Sequence, residues 1–184
     1  MEFNTSHPPK RLKRAYYRSH DALFVAEDLL GKLLVRDFGN GDIQKWQIVE
    51  TETYLGPNDL ASHASKGRTA RTEVMFAEGG LVYAYLIYGV HWMLNIVTGP
   101  IDHPEAVLIR GVQGCIGPGR VGKLIGLDRS FYGEDLETSK RLWIEDQPSN
   151  GKIVTSTRIG IDYAGEIWRN KLWRFEYLES DKIP

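Results

Sequence analysis

A single cysteine, Cys115, stands in 184 residues. No disulfide can form within the chain, and no cysteine cage for zinc can be built. No two histidines take helix-face spacing and no HExxH run occurs, so neither a catalytic metal nor any other cofactor is expected. Long apolar runs are also missing. The most apolar stretch, Leu86 to Val97, carries His91 and Asn95 and is too short to span a bilayer, so no membrane association is expected. The basic N-terminus has no apolar run behind it, and a secretory signal is not expected either. The expected location is intracellular, in the cytoplasm or nucleoid if the source is bacterial. The formal net charge is −1, so any nucleic-acid surface must come from local clustering of cations. Internal repeats, low-complexity blocks and interdomain linkers are absent.

What is present fits one globular core: 42% hydrophobic and 26% charged residues. Residues 1–18 read as a basic N-terminal arm. Lys10, Arg11, Lys13, Arg14 and Arg18 face only Glu2, and Pro8 and Pro9 resist helix. Such an arm is as often a solvated tail as a DNA contact. Residues 19–184 read as a single domain. A helix fits Asp21 to Lys32, with Ser19 or Asp21 as N-cap. Strands fit Leu33 to Phe38 and Ile43 to Leu55 around the turn Gly39-Asn40-Gly41-Asp42. Further strands are expected over Leu81 to Tyr88, His91 to Thr98, Ala106 to Val112, Thr157 to Ile161 and Leu172 to Leu178, with a helix opening at Pro118 and running to Leu127. Strands cluster rather than alternate with helices, which predicts an α+β fold.

Within the third segment, Glu50, Glu52 and Tyr54 share one face of a strand if no bulge intervenes. The ordinary reading is a half-exposed strand with its acids in water. The sharper one is a cleft wall, a carboxylate beside an aromatic platform, suited to a general base next to a flat ligand. Tyr83 and Trp92 read as core. Tyr88 precedes Gly89, where a strand ends, so its ring can project as a wedge of the kind that opens stacked bases. His63 lies in a polar stretch with Lys66, Arg68 and Arg71, either a solvated loop or a phosphate cradle. Gly114 to Arg120 superficially resembles a P-loop but has Arg120 for the lysine and Val121 for the Ser/Thr. Glycines before a helix start, with Arg120 and Lys123, leave only a weaker phosphate site.

The blocks VETETYLGPNDLASHASKGRTARTEVMF, VYAYLIYGVHWMLNIV, AVLIRG, GPGR and RIGIDYAGE, in that order, resemble the alkyladenine (3-methyladenine) DNA glycosylase family from about Leu23 to Phe175. The resemblance implies a single mixed domain with a curved, mainly antiparallel sheet flanked by helices and a protruding hairpin bearing the intercalating Tyr88. It implies that Glu52 is the general base that activates water, that Glu50 is its non-catalytic neighbour, and that Arg110 and the backbone carbonyl of Ile159 hold that water. Tyr54, His63 and Tyr85 would wall the pocket around an extruded base, and Asn95 would crowd a guanine's exocyclic amine. Arg68, Arg71, Arg120 and Lys123 are candidate contacts to the DNA backbone. The implied function is a monofunctional glycosylase that flips alkylated or deaminated purines (3-methyladenine, 7-methylguanine, hypoxanthine, ethenoadenine) from damaged double-stranded DNA and leaves an abasic site uncut. A monomer is the default expectation. Between Arg110 and Gly117 the chain is shorter than the family pattern, either a true deletion or missing residues. Two rivals remain: a DNA-binding module without catalysis, and a nucleoside hydrolase, for which Tyr88 would be superfluous.

Overall fold

A computed structural model describes residues 10–178, so the basic residues' first neighbours, Pro8 and Pro9, lie outside the described residues. The elements in chain order are β1 (Lys10–Arg11), α1 (Arg14–Arg18), α2 (Ala22–Asp28), β2 (Leu33–Asp37), β3 (Ile43–Leu55), β4 (Val82–Ile87), β5 (His91–Thr98), β6 (Glu105–Val112), β7 (Cys115–Ile116), α3 (Pro118–Leu124), β8 (Leu142–Asp146), β9 (Lys152–Ser156), α4 (Glu166–Arg169) and β10 (Arg174–Leu178). Every pairing is antiparallel, and short helices are few, so the class is α+β as expected. No helix among the described residues is long and apolar enough to cross a membrane.

The long strand β3 is the hub. Its first half pairs with β2 and its second half with β6 and β10. The strand path runs β1-β8-β2-β3-β6-β5-β4, while β9 joins through β10. Alternation along the strands separates two faces. Val82, Ala84, Leu94, Ile96, Val107 and Ile109 point into the main core with α2 and α3. Tyr83, Tyr85, Met93, Asn95, Leu108 and Arg110 point the other way, into a cavity. The sheet is thus covered on both sides, which is why β5 and β6 read as nearly unbroken apolar runs. Across β3, Thr51 and Thr53 turn towards α2 and donate to the carbonyls of Ala26 and Ala22, leaving Glu52 on the cavity side.

The pairing of β3 with β6 is irregular between Ile48 and Thr51. A Cβ on Gly111 would lie 2.9 Å from the Glu50 Cβ, so glycine is required where the bulge presses the strands together. At Gly122 in α3 a Cβ would sit 2.0 Å from the Trp92 carbonyl oxygen; its absence lets the helix lie directly on β5.

Several sequence expectations are corrected. From Lys10 to Arg18 the arm is built into the fold: it forms β1 and α1, Tyr17 is fully buried, and four of its cations are engaged. Arg11 donates to the carbonyls of Glu137 and Ser139, Arg14 pairs with Asp135 and Glu78, Arg18 with Glu78 and Lys13 with Glu137. Helix α2 keeps Asp21 as N-cap, accepting from the Phe24 N–H at 2.8 Å, but ends at Asp28 because the chain turns through Gly31 at φ +91°. Helix α3 stops at Leu124. Thr157 to Ile161 is not a strand: β9 lies just before it, and the segment turns inward at Arg158 and through Gly160 at φ +76°. Strand β8 was missed, although Leu142 and Ile144 alternate into the core.

Candidate active site

A cavity of about 410 Å³ opens on the face of the sheet away from the main core, a size typical of small-ligand sites. Tyr54, His63, Tyr85, Tyr88, Asn95, Arg110 and Ile159 all line it. Residues from β3, β4, β5, β6 and two loops therefore converge, as the sequence reading required of the walls.

Glu52 lies one layer beneath this wall and is 0% exposed. The expectation that β3 turns its acids to water is overturned, for Glu50 is buried as well. The Glu52 carboxylate is held from three sides by residues of the cavity wall. Its Oε1 accepts the Ile159 N–H at 2.8 Å and lies 3.4 Å from Arg110 Nη1, and its Oε2 accepts the Tyr54 hydroxyl at 2.8 Å. Burial pushes its pKa above the ordinary carboxylate range, while Arg110, the Ile159 N–H and the Tyr54 hydroxyl oppose the rise. The result is a fixed carboxylate with raised basicity. Besides the carbonyl expected to hold the water, Ile159 brings its amide nitrogen to Glu52.

Glu50 anchors the neighbouring cations. Its Oε1 accepts from Arg110 Nε at 3.0 Å and from Arg174 Nε at 2.6 Å. One guanidinium, that of Arg110, thus spans both glutamates. Burial would lower its pKa, but Glu52 and Glu50 outweigh that and raise it, so Arg110 stays charged. Beside it, Arg158 and Asp59 form a fully buried bidentate pair at 2.6 and 2.9 Å. Arg158 also donates to the Thr53 carbonyl at 2.9 Å, and its guanidinium lies 4.9 Å from the ring centroids of both Tyr54 and Trp173. Since Arg158 precedes Ile159 and grips the backbone of β3, it fixes the segment that supplies the N–H to Glu52.

On the opposite wall, His63 Nδ1 meets the Tyr83 hydroxyl at 2.8 Å and its ring stands edge-on to Tyr85 at 4.7 Å. Burial, with Arg71 and Lys66 nearby, lowers the His63 pKa to about 4, so the imidazole is neutral at pH 7. The Tyr83 hydroxyl and His63 Nδ1 share one hydrogen bond, and the neutral imidazole carries one N–H. Asn95 is buried and donates to the Tyr83 carbonyl at 3.2 Å. Tyr83 was assigned to the core on strand propensity; it is buried, but it also lines the cavity and orients His63.

Tyr88 occupies the tip of the β4–β5 hairpin and is 86% exposed. Its φ is +54° and that of Gly89 +71°, and the Val90 N–H closes the turn on the Ile87 carbonyl at 3.2 Å. Positive φ costs a non-glycine residue roughly 1–2 kcal/mol, so the fold holds an aromatic side chain outward in an unfavourable backbone state. Tyr163, which the sequence reading did not single out, stands on the rim with its hydroxyl on the Ala61 carbonyl at 3.1 Å. Its only signal was its place beside glycines in RIGIDYAGE.

The four proposed backbone contacts divide. Arg68 is paired with Glu73 and Asp102 and lies over Phe76, so its charge is already neutralised within the fold. Arg71 lies over the Tyr85 ring at 5.2 Å, and Arg120 and Lys123 are exposed on α3. These three have no carboxylate partner among the described residues. No cluster of three His, Cys, Asp or Glu that could hold a metal occurs among the described residues.

The short Arg110–Gly117 connection is closed by the β6–β7 hairpin, with Gly114 at φ +81° and the Gly117 N–H on the Arg110 carbonyl at 2.9 Å. The family model for methylpurine-DNA glycosylase matches residues 15–116 and 111–181, dividing at this same hairpin. Curated relatives extend over most of the chain. A protein of Methanocella arvoryzae is 43% identical over 184 aligned positions, covering 89% of this chain and 90% of the relative. One of Borrelia garinii subsp. bavariensis is 41% identical over 181 positions, covering 91% and 96%. One of Psychrobacter cryohalolentis is 38% identical over 186 positions, covering 85% and 86%. All three bear the provisional name 3-methyladenine DNA glycosylase. With a family model matching nearly its whole length and relatives of this identity, the chain belongs to the methylpurine-DNA glycosylase family.

Proposed function

We propose that this protein extrudes an alkylated or deaminated purine from double-stranded DNA, seats it against Tyr54, His63 and Tyr85, and hydrolyses its N-glycosidic bond with water activated by Glu52. The observation that carries the reading is the Glu52 carboxylate, fully buried under the aromatic cavity and held by the Ile159 N–H, the Tyr54 hydroxyl and Arg110. A base inside a duplex hides its glycosidic bond, and extrusion costs roughly a few kcal/mol, least for a base that pairs badly. Tyr88 fills the gap as the wedge, and the two sides of Tyr85 and His63 receive the ring.

The chemistry follows from charge. An N-alkylated purine such as 3-methyladenine or 7-methylguanine is cationic, and aromatic faces attract it by about 2 kcal/mol when desolvated. The glycosidic bond breaks with its electron pair leaving on the base, which departs neutral. Positive character grows on the sugar and is stabilised by the Glu52 carboxylate. Water then bonds to C1′ and gives its proton to Glu52. Hypoxanthine and ethenoadenine carry no such charge and rely on hydrogen bonds from the pocket, which the neutral imidazole of His63 can make. Asn95 crowds a guanine's exocyclic amine and so disfavours the normal base. Lyase action requires an amine nucleophile; among the described residues no lysine lines the cavity, which supports a monofunctional enzyme that leaves the abasic site uncut.

The test is a duplex with one ethenoadenine, hypoxanthine or 3-methyladenine, treated with the protein and then with alkali. Strand breaks that need the alkali support the reading. Binding to all three lesions without base release would make the protein a recognition module instead.

A further inference from the structure

A second cavity, of about 550 Å³, adjoins the first. Tyr85 lines both. The floor of the second cavity is apolar, built from Leu86 and Trp92 on the hairpin, and its flanks carry Arg71 and Arg129. No carboxylate lines it, and neither arginine has a carboxylate partner among the described residues. A further cavity is the opposite in character, lined by Glu27, Asp28 and Asp146 with Lys32 against them.

The groove is braced. Tyr132 on its wall accepts the Val74 N–H at 3.1 Å and donates to the Ala70 carbonyl at 3.3 Å, tying the loop that carries Arg71 to the turn that carries Arg129. That turn is fixed in its own right, capped by Asp128 on the Ser130 N–H at 2.7 Å and anchored by Phe131, which is 1% exposed. Two cations are thus carried on a rigid frame, beside aromatic surface, with no carboxylate among the described residues to neutralise them. That combination suits a nucleotide chain: phosphates for the guanidinium groups, base and sugar faces for Trp92 and Leu86.

We infer that this outer groove binds the DNA strand flanking the extruded nucleotide, with Arg129 on a backbone phosphate. The inference rests on the glycosylase reading of the adjoining cavity. A strand that delivers one base to the cavity lined by Tyr85 passes the groove bordered by the same residue, and the next phosphates meet Arg71 and Arg129. Arg129 is then a DNA-binding residue lying outside the pocket and outside every motif that identifies the family in this chain.

The experiment measures binding of a duplex carrying a tetrahydrofuran abasic analogue between roughly 50 and 200 mM salt, where log K falls by about 0.9 per log salt for each phosphate neutralised. Arg129→Ala is expected to flatten that slope by about 0.9, and Arg129→Lys, which keeps the charge, to restore it. Lys152→Ala serves as control, because β9 lies at the opposite edge of the sheet from β4; it is expected to keep the wild-type slope. An Arg129→Ala slope equal to wild type, or an equal flattening in Lys152→Ala, overturns the inference. Base release by the wild-type protein is scored separately. If release occurs while Arg129→Ala keeps its slope, the groove falls and the catalytic reading stands; if no lesion is released, the catalytic reading falls first.

Discussion

Beneath the cavity wall and on the outer surface, the same charged residue types serve opposite ends. Below, Glu50, Glu52, Asp59, Arg110 and Arg158 are buried, and each is paired. Above, Arg71, Arg120, Lys123 and Arg129 are exposed and lack carboxylate partners among the described residues. A buried charge must be satisfied inside the protein or it unfolds the site, so the lower set fixes geometry. An exposed cation keeps its hydration at little cost and stays available for a counter-charge from a partner. Arg68 marks the boundary: it sits among the outer residues, yet Glu73 and Asp102 already neutralise it.

The sharpest way to break this contrast is Asp59→Ala, which leaves Arg158 buried beside an empty space. Loss of one partner of a buried pair is expected to cost about 3–5 kcal/mol, read as a lower urea midpoint at unchanged m. Replacing both, Asp59→Leu with Arg158→Met, is expected to recover most of that stability, because no bare charge remains. Base release is not expected to recover with it, since Ile159 and Tyr54 lose their brace. Next in size is Tyr88→Ala. Removing one stacked aromatic is expected to cost about 1–3 kcal/mol in affinity for a lesion in duplex, and far less on a single-stranded lesion, which has no gap to fill. Equal losses on both substrates would contradict the wedge role. Smallest is Arg68→Ala. An exposed, already paired cation should leave both the urea midpoint and the salt slope of DNA binding close to wild type. A slope change matching that of Arg71→Ala would erase the distinction between the paired and unpaired cations.

Much of this was legible in the residues. The two-residue period of Glu50, Glu52 and Tyr54 placed them on one face of β3, and Tyr54, His63, Tyr85 and Asn95 do share one cavity. Period alone left open whether that face was wet or buried, because burial depends on Arg110 arriving from β6, 58 positions away from Glu52 by their numbering. The Asp59–Arg158 pair was illegible for the same reason: nothing local marks two charges 99 residues apart as partners. Pro8 and Pro9 lie outside the described residues; a proline's influence ends within a residue or two, and Tyr17 wins α1 by burial. Residues 157–161 looked like strand through their β-branched isoleucines; Arg158 instead turns inward to Asp59, and Gly160 takes a left-handed turn, which together break the ladder. The hairpin at Tyr88 was readable from Gly89, whereas the groove behind it required the turn at Arg129 to fold back onto β4.

In the proposed reaction Glu52, buried and raised in pKa, takes the proton from the attacking water. The decisive measurement is single-turnover base release from a 7-methylguanine duplex as a function of pH, for wild type and Glu52→Gln. This leaving group carries its own charge, so an acid limb reports the base alone. Because burial raises the Glu52 pKa, the wild-type rate should fall as pH drops, beginning above the ordinary carboxylate range, where the carboxylate gains its proton and ceases to act as a base. Glu52→Gln should bind the duplex with wild-type affinity, release base about 10²–10⁴ times more slowly, and show no such limb. A Glu52→Gln rate near wild type, or the same acid limb surviving in the variant, would contradict the account.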